Sequence, residues 1–261
     1  MLENRLRFTT GLAAFDHLIG PLGPKRLVVF SGISQSGMTT MLLTVARNAA
    51  VNQGVETLFV DLETSPATIA ARLLAGEASV DHRRFGHLEG SDAAAVATAR
   101  ALLHASPIQL AGPGPFTVDE IRSMAMLTRP RPQLIVIDGI RYLTGLEGDQ
   151  QAQLDQLSIR LKQLAGQLDA TVVVSHPLRH TAESERWPSL EHVDTAMGLV
   201  NHADQFVIIH RPELYATGSR SGETELRVVK SRQGPPGTVS VTAELSFSRF
   251  TSLEASGRAA A

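Results

Sequence analysis

The segment Ser31-Gly32-Ile33-Ser34-Gln35-Ser36-Gly37-Met38-Thr39-Thr40 has the residue types of a loop that wraps phosphate groups. The template is G-x-x-x-x-G-K-[ST] between a strand and a helix. Gly32, Gly37 and Thr39 fit it, an apolar strand-like run precedes it, and a helical pattern follows. Backbone N–H groups of Ser34, Gln35, Ser36 and Gly37, with those of Met38, Thr39 and Thr40 opening the helix, form an anion cradle. The Thr39 hydroxyl suits a magnesium ion. The lysine position is Met38. An apolar side chain there removes the cation that reaches the outer phosphates, where a charge-assisted hydrogen bond contributes roughly 1.5–3 kcal/mol. Taken alone, the segment also reads as a strand–turn–helix junction with ordinary turn glycines.

Three other strand-like runs end in groups able to do chemistry. Val60-Asp61-Leu62-Glu63 offers a carboxylate, Glu63, able to polarise a water as general base. Leu134-Ile-Val-Ile-Asp138 has the form in which an acid at a strand end, Asp138, holds magnesium. Ser175-His176 places an imidazole at the end of a fourth run. In open α/β sheets such strand ends converge on one ligand crevice.

The elements that must position these groups are legible from patterning. Leu27–Phe30, Thr57–Val60, Leu134–Ile137, Thr171–Val174 and Phe206–Ile209 are short, nearly continuous apolar runs, as in strands buried on both faces. Met38–Asn52, Ser65–Leu74 and Gln151–Leu168 have helical spacing. Leu154, Leu157, Leu161, Leu164 and Leu168 form one stripe in the last. Alternating strands and helices predict an α/β domain with a mostly parallel sheet. Glu223–Lys230 and Thr238–Leu245, separated by Gln233-Gly-Pro-Pro-Gly, predict a β-hairpin closing the sheet. Segments 76–92 and 111–116 read as loops. Residues 1–254 read as a single domain and 255–261 as a flexible tail.

The chain has 261 residues, 43% apolar and 19% charged, with a net charge of −2. That is a globular composition without a strong positive field, so any nucleic-acid contact must be local. Without cysteine there are no disulfides, iron–sulfur clusters or thiol nucleophiles. No run of 18 apolar residues and no signal-like start predict a cytoplasmic protein without a membrane span.

In this order, the motifs resemble the C-terminal motor domain of replicative DnaB-type hexameric helicases, a branch of the RecA-like ATPases. The resemblance runs from about Leu6 to Leu253. Thr10-Gly-Leu-Ala-Ala-Phe-Asp resembles the family's entry segment, and Val229-Lys230-Ser-Arg232-Gln-Gly-Pro-Pro-Gly237 is its most specific piece. The resemblance implies a RecA-like P-loop fold, ATP and Mg²⁺ as cofactors, Glu63 as catalytic glutamate, and Lys230 and Arg232 as a finger reaching a neighbouring subunit's nucleotide. His176 stands where the family senses the γ-phosphate with glutamine. A cationic His176 or a partner's lysine are two ways to replace the missing charge at Met38. The region Glu191–Asp204 lines up with a DNA-facing loop but offers His192, Asp194 and Met197 and no basic residue. The modest basic cluster Arg179-His180 with Arg186-Trp187 lies before it. The chain begins where the motor begins, so the family's N-terminal domain and linker helix are expected to be absent. Three functions are open. One is an ATP-hydrolysing helicase working on single-stranded DNA as a homo-hexamer. Another is a catalytically impaired paralogue serving as scaffold or regulatory partner of an intact helicase. The third is a RecA-fold regulator unrelated to DNA.

Overall fold

A computed structural model describes residues 7–178, 197–214 and 222–253. In chain order these form α1 (Ala13–Ile19), β1 (Arg26–Gly32), α2 (Met38–Arg47), β2 (Thr57–Asp61), α3 (Pro66–Ala78), α4 (Gly90–Ala105), β3 (Ile108–Ala111) and α5 (Val118–Leu127). There follow β4 (Leu134–Asp138), α6 (Gln150–Leu168), β5 (Thr171–Pro177), α7 (Met197–His202), β6 (Gln205–His210), β7 (Glu223–Ser231), β8 (Gly237–Glu244) and β9 (Arg249–Ser252).

One sheet has the order β3-β2-β4-β5-β1-β6-β7-β8-β9. From β3 to β6 the neighbours run parallel, and from β6 to β9 antiparallel. All five apolar runs are strands, and β1, β2, β4 and β6 are buried along their whole length. Successive side chains of a strand face opposite sides. Leu27 and Val29 therefore join the core under α5, α6 and α7, while Val28 and Phe30 join the one under α1, α2 and α3. The α6 stripe packs as its spacing predicts, with Leu154, Leu157, Leu161 and Leu164 buried.

The structure departs from the sequence expectation in two places. Segment 76–92 is not one loop. The α3 helix runs to Ala78, a 3₁₀ turn covers His82–Arg84, and α4 starts at Gly90. The α4 helix buries only Val96 and Ala99, so its hydrophobic period is faint. At the other end, the predicted hairpin forms as β7 and β8, and β9 extends it into a three-stranded antiparallel unit. The basic cluster Arg179-His180 with Arg186-Trp187, His192, Asp194 and the tail 255–261 lie outside the described residues.

Candidate functional site

The C-terminal ends of β1, β2, β4 and β5 share one rim of the sheet, because these strands are parallel and in register. A cavity of about 540 Å³ opens there. Its lining includes Ser34, Gln35, Gly37, Met38, Thr39 and Thr40 from the glycine loop, with Glu63, Asp138 and Ser175 from the neighbouring strand ends.

The loop conformation needs its glycines. Gly37 has φ +96°, and a Cβ there would lie 2.9 Å from the ring of Phe250 on β9. A Cβ at Gly32 would lie 2.3 Å from Ser36 Oγ. Neither Gly32 nor Ser36 lines the cavity. The Ser36 N–H donates to the Ile33 carbonyl at 3.1 Å, so these two residues shape the turn from below. Gln35 holds φ +69°, and its carbonyl accepts from Arg211 Nη1 at 2.8 Å. The first turn of α2 then presents its free N–H groups to the cavity. Met38 packs part of its side chain on the apolar cluster beneath α2.

Asp61 and Asp138 are opposite one another in the β2–β4 register, and both are buried. Asp61 accepts from the N–H groups of Glu63 (2.8 Å) and Thr64 (2.7 Å), and from the Thr64 hydroxyl. This clasp fixes the turn that carries Glu63, whose side chain is 57% exposed and faces Arg141 at 3.6 Å. Asp138 accepts from the Ser175 hydroxyl, and the Thr39 hydroxyl lies against the same carboxylate. Burial pushes the Asp138 pKa up, and these two hydroxyls oppose the rise. A desolvated carboxylate beside a threonine hydroxyl is a hard oxygen pair suited to Mg²⁺, which takes few protein ligands and completes its shell with phosphate and water. No group of three or more His, Cys, Asp or Glu able to hold a metal occurs among the described residues.

His176 does not line this cavity, and neither do Lys230 and Arg232, which were expected to reach a neighbouring subunit. On β5, Ser175 and Pro177 line it, so the intervening His176 points to the other face. His176 is 7% exposed, its Nδ1 has no hydrogen-bond partner among the described residues, and burial lowers its pKa to about 4. His176 is therefore neutral at neutral pH, which removes it as the replacement cation. Lys230 and Arg232 lie at the opposite rim, because β7 runs antiparallel and pairs Lys230 with Phe206 near the start of β6. The Lys230 ammonium donates to the carbonyls of Val200 (2.6 Å) and Asn201 (2.7 Å) in α7. Arg232 Nε faces Asp204 at 3.7 Å. Burial and the neighbouring Arg232 charge lower the Lys230 pKa.

The structure also places Arg72, Arg141 and Arg211 in the cavity wall. No motif flagged them, since each comes from a different element and only the tertiary fold gathers them.

The sequence model of the DnaB-like helicase C-terminal domain matches residues 8–252. The chain belongs to that family. It is 30% identical over 254 residues to the replicative DNA helicase DnaB of Leifsonia xyli subsp. xyli, covering 94% of this chain and 55% of that protein. It is 28% identical over 247 residues to the DnaB of Treponema pallidum, covering 92% of this chain and 55% of that one. The chain thus spans about half the length of these DnaB relatives. Among solved structures, a chain described as an ATPase domain superposes with a TM-score of 0.86 at 23% identity, covering 94% of this chain and 91% of that one. A DnaB-like replicative helicase, described with its interactions with primase, gives 0.85 at 21%, covering 94% and 63%. These superpositions establish the RecA-like fold. Among the described residues no helix is long and apolar enough to cross a membrane.

Proposed function

We propose that this chain is the nucleotide-binding motor domain of a DnaB-type assembly acting on single-stranded DNA in replication, with ATP and Mg²⁺ as its ligands. The observation that carries the nucleotide part is the convergence, around one cavity, of the loop amides, Thr39, Glu63 and the buried Asp138. The amides and the α2 N-terminus hold the phosphates. Thr39 and Asp138 would hold the metal, which when bound would supply positive charge to the phosphate oxygens. Glu63, fixed through the Asp61 clasp, accepts a proton from the attacking water. Lys230 and Arg232 act on a neighbouring copy, because their own cavity lies at the other rim. A homo-hexamer and the DNA substrate rest on family membership.

A second reading, an impaired paralogue that scaffolds or regulates an intact helicase, is favoured by Met38 and by the buried, neutral His176. The two readings separate on turnover. Purified chain is assayed for ATP hydrolysis with Mg²⁺, with and without single-stranded DNA. DNA-stimulated hydrolysis abolished by Glu63→Gln supports the motor. Binding without turnover supports the paralogue. Absence of binding overturns the nucleotide site itself.

A further inference from the structure

Three cations wall the cavity, and they differ in how their charge is already used. Arg141 is 54% exposed, faces Glu63 at 3.6 Å, and lies over the Tyr142 ring at 4.6 Å. Its charge is matched and solvated. Arg211 pairs with Glu213 and holds the Gln35 carbonyl, so its charge is matched too, and its visible role is to pin the loop. Arg72 is unlike both. From α3 its Nη2 donates to Thr40 Oγ1 at 3.1 Å and its Nε to Ser248 Oγ at 3.3 Å. Both acceptors are neutral hydroxyls. Among the described residues Arg72 forms no ion pair, and Asp138 and Asp61 act on it only from longer range.

A guanidinium carries five N–H donors and stays charged in proteins. Holding one out of bulk water against two hydroxyls is unfavourable unless an anion joins it. The anion-attracting part of the cavity is adjacent, since Thr40 belongs to the first turn of α2. Thr40 and Ser248 also fix the plane of the guanidinium, leaving a preset fork of the kind that grips phosphate oxygens in pairs.

We propose that Arg72 is the phosphate-binding cation of this site, supplying from α3 the charge that Met38 does not supply from the loop. The inference rests on the nucleotide reading above and specifies how a nucleoside di- or triphosphate is held without the loop lysine. Arg72 approaches from beside the α2 N-terminus, whereas a residue at position 38 approaches from the loop. The two positions are therefore alternative sources of one charge.

The test is equilibrium binding of a fluorescent ATP analogue, and of its ADP counterpart, with Mg²⁺. The proteins are wild type, Arg72→Gln, Arg72→Lys, Met38→Lys and the double variant Met38→Lys/Arg72→Gln. Arg72→Gln is expected to weaken binding by about 10- to 100-fold, the loss of one charge-assisted phosphate contact. Arg72→Lys should fall between, and Met38→Lys should restore binding to the Arg72→Gln chain. That restoration is the decisive readout. A merely structural role for Arg72, as counter-charge to Asp138 and Asp61, would not be repaired from position 38, so a loss without rescue overturns the proposal. Unchanged binding by Arg72→Gln overturns it as well and leaves the nucleotide reading standing. Binding by Met38→Lys but not by wild type also overturns it, because the site would then exist without an effective substitute. Binding by neither wild type nor Met38→Lys overturns the nucleotide reading itself.

Discussion

At the C-terminal rim of the parallel strands stand Asp61, Asp138 and Glu63, the loop amides, and the arginines facing the cavity. At the N-terminal rim stand Lys162, Lys230, Arg232 and Asp204, tied to one another and to α7. The first rim is built around an opening, and its ionic groups are held at set distances by hydroxyls and amides. The second is closed on itself. Asp204 accepts from the Leu27 N–H at 2.7 Å and pairs with Lys162 and Arg232. Lys230 satisfies carbonyls at the end of α7. One rim opens on a cavity of about 540 Å³. The other holds its cations against its own backbone and against Asp204.

That contrast can be broken most forcefully through Phe250, which backs Gly37 and whose N–H donates to Thr44 Oγ1 at 2.9 Å. Phe250→Ala should cost about 3–5 kcal/mol in urea unfolding and weaken nucleotide binding as well. Intact binding in a folded Phe250→Ala chain would mean the loop keeps its shape unaided.

The next effect is a pH dependence at His176. The folded chain holds the imidazole neutral, with a pKa of about 4, whereas the unfolded chain protonates it below about pH 6.5. The unfolded state thus binds more protons in this window. Stability is complete above pH 6.5 and falls as the pH drops towards 4, by about 3 kcal/mol in all. His210, also lowered by burial, acts in the same direction. Comparing urea midpoints of wild type and His176→Gln across the window isolates the His176 share. Parallel curves for the two chains would refute it.

Smaller still is Asp204→Ala, which should cost about 1–3 kcal/mol by stranding the Leu27 N–H and two cations. Nucleotide affinity should not move, and a parallel loss of affinity would show that the rims are coupled. The least effect on folding is expected of Lys230→Ala with Arg232→Ala, about 1 kcal/mol or less. Binding by the isolated chain should stay unchanged. Any turnover of an assembled form should fall by on the order of a thousandfold, and equal turnover would remove the pair from the reaction.

What could be read in advance follows the same division. The five buried strands were legible because continuous β-branched runs have few alternatives. The stretch from α4 through β3 to α5 was not, since α4 is alanine-rich and β3 is four residues, three half-buried and one exposed. A capping box at Thr117 and Glu120 marks the start of α5 and was a usable signal. In the site, Gly37, Thr39, Glu63 and Asp138 were legible because spacing along strands and loops is local. His176 required the phase of β5, which a one-residue step inverts. Arg72 required knowing that α3 lies beside the start of α2, and no spacing within one element contains that.

The contact between Gly37 and Phe250 sets an order of events during synthesis. The glycine loop is made early, yet the ring that backs it belongs to the ninth strand. As the chain leaves the ribosome at about 5–20 residues per second, more than two hundred residues separate the loop from its support. For about ten seconds or more the growing chain holds the glycine loop without the ring that backs it.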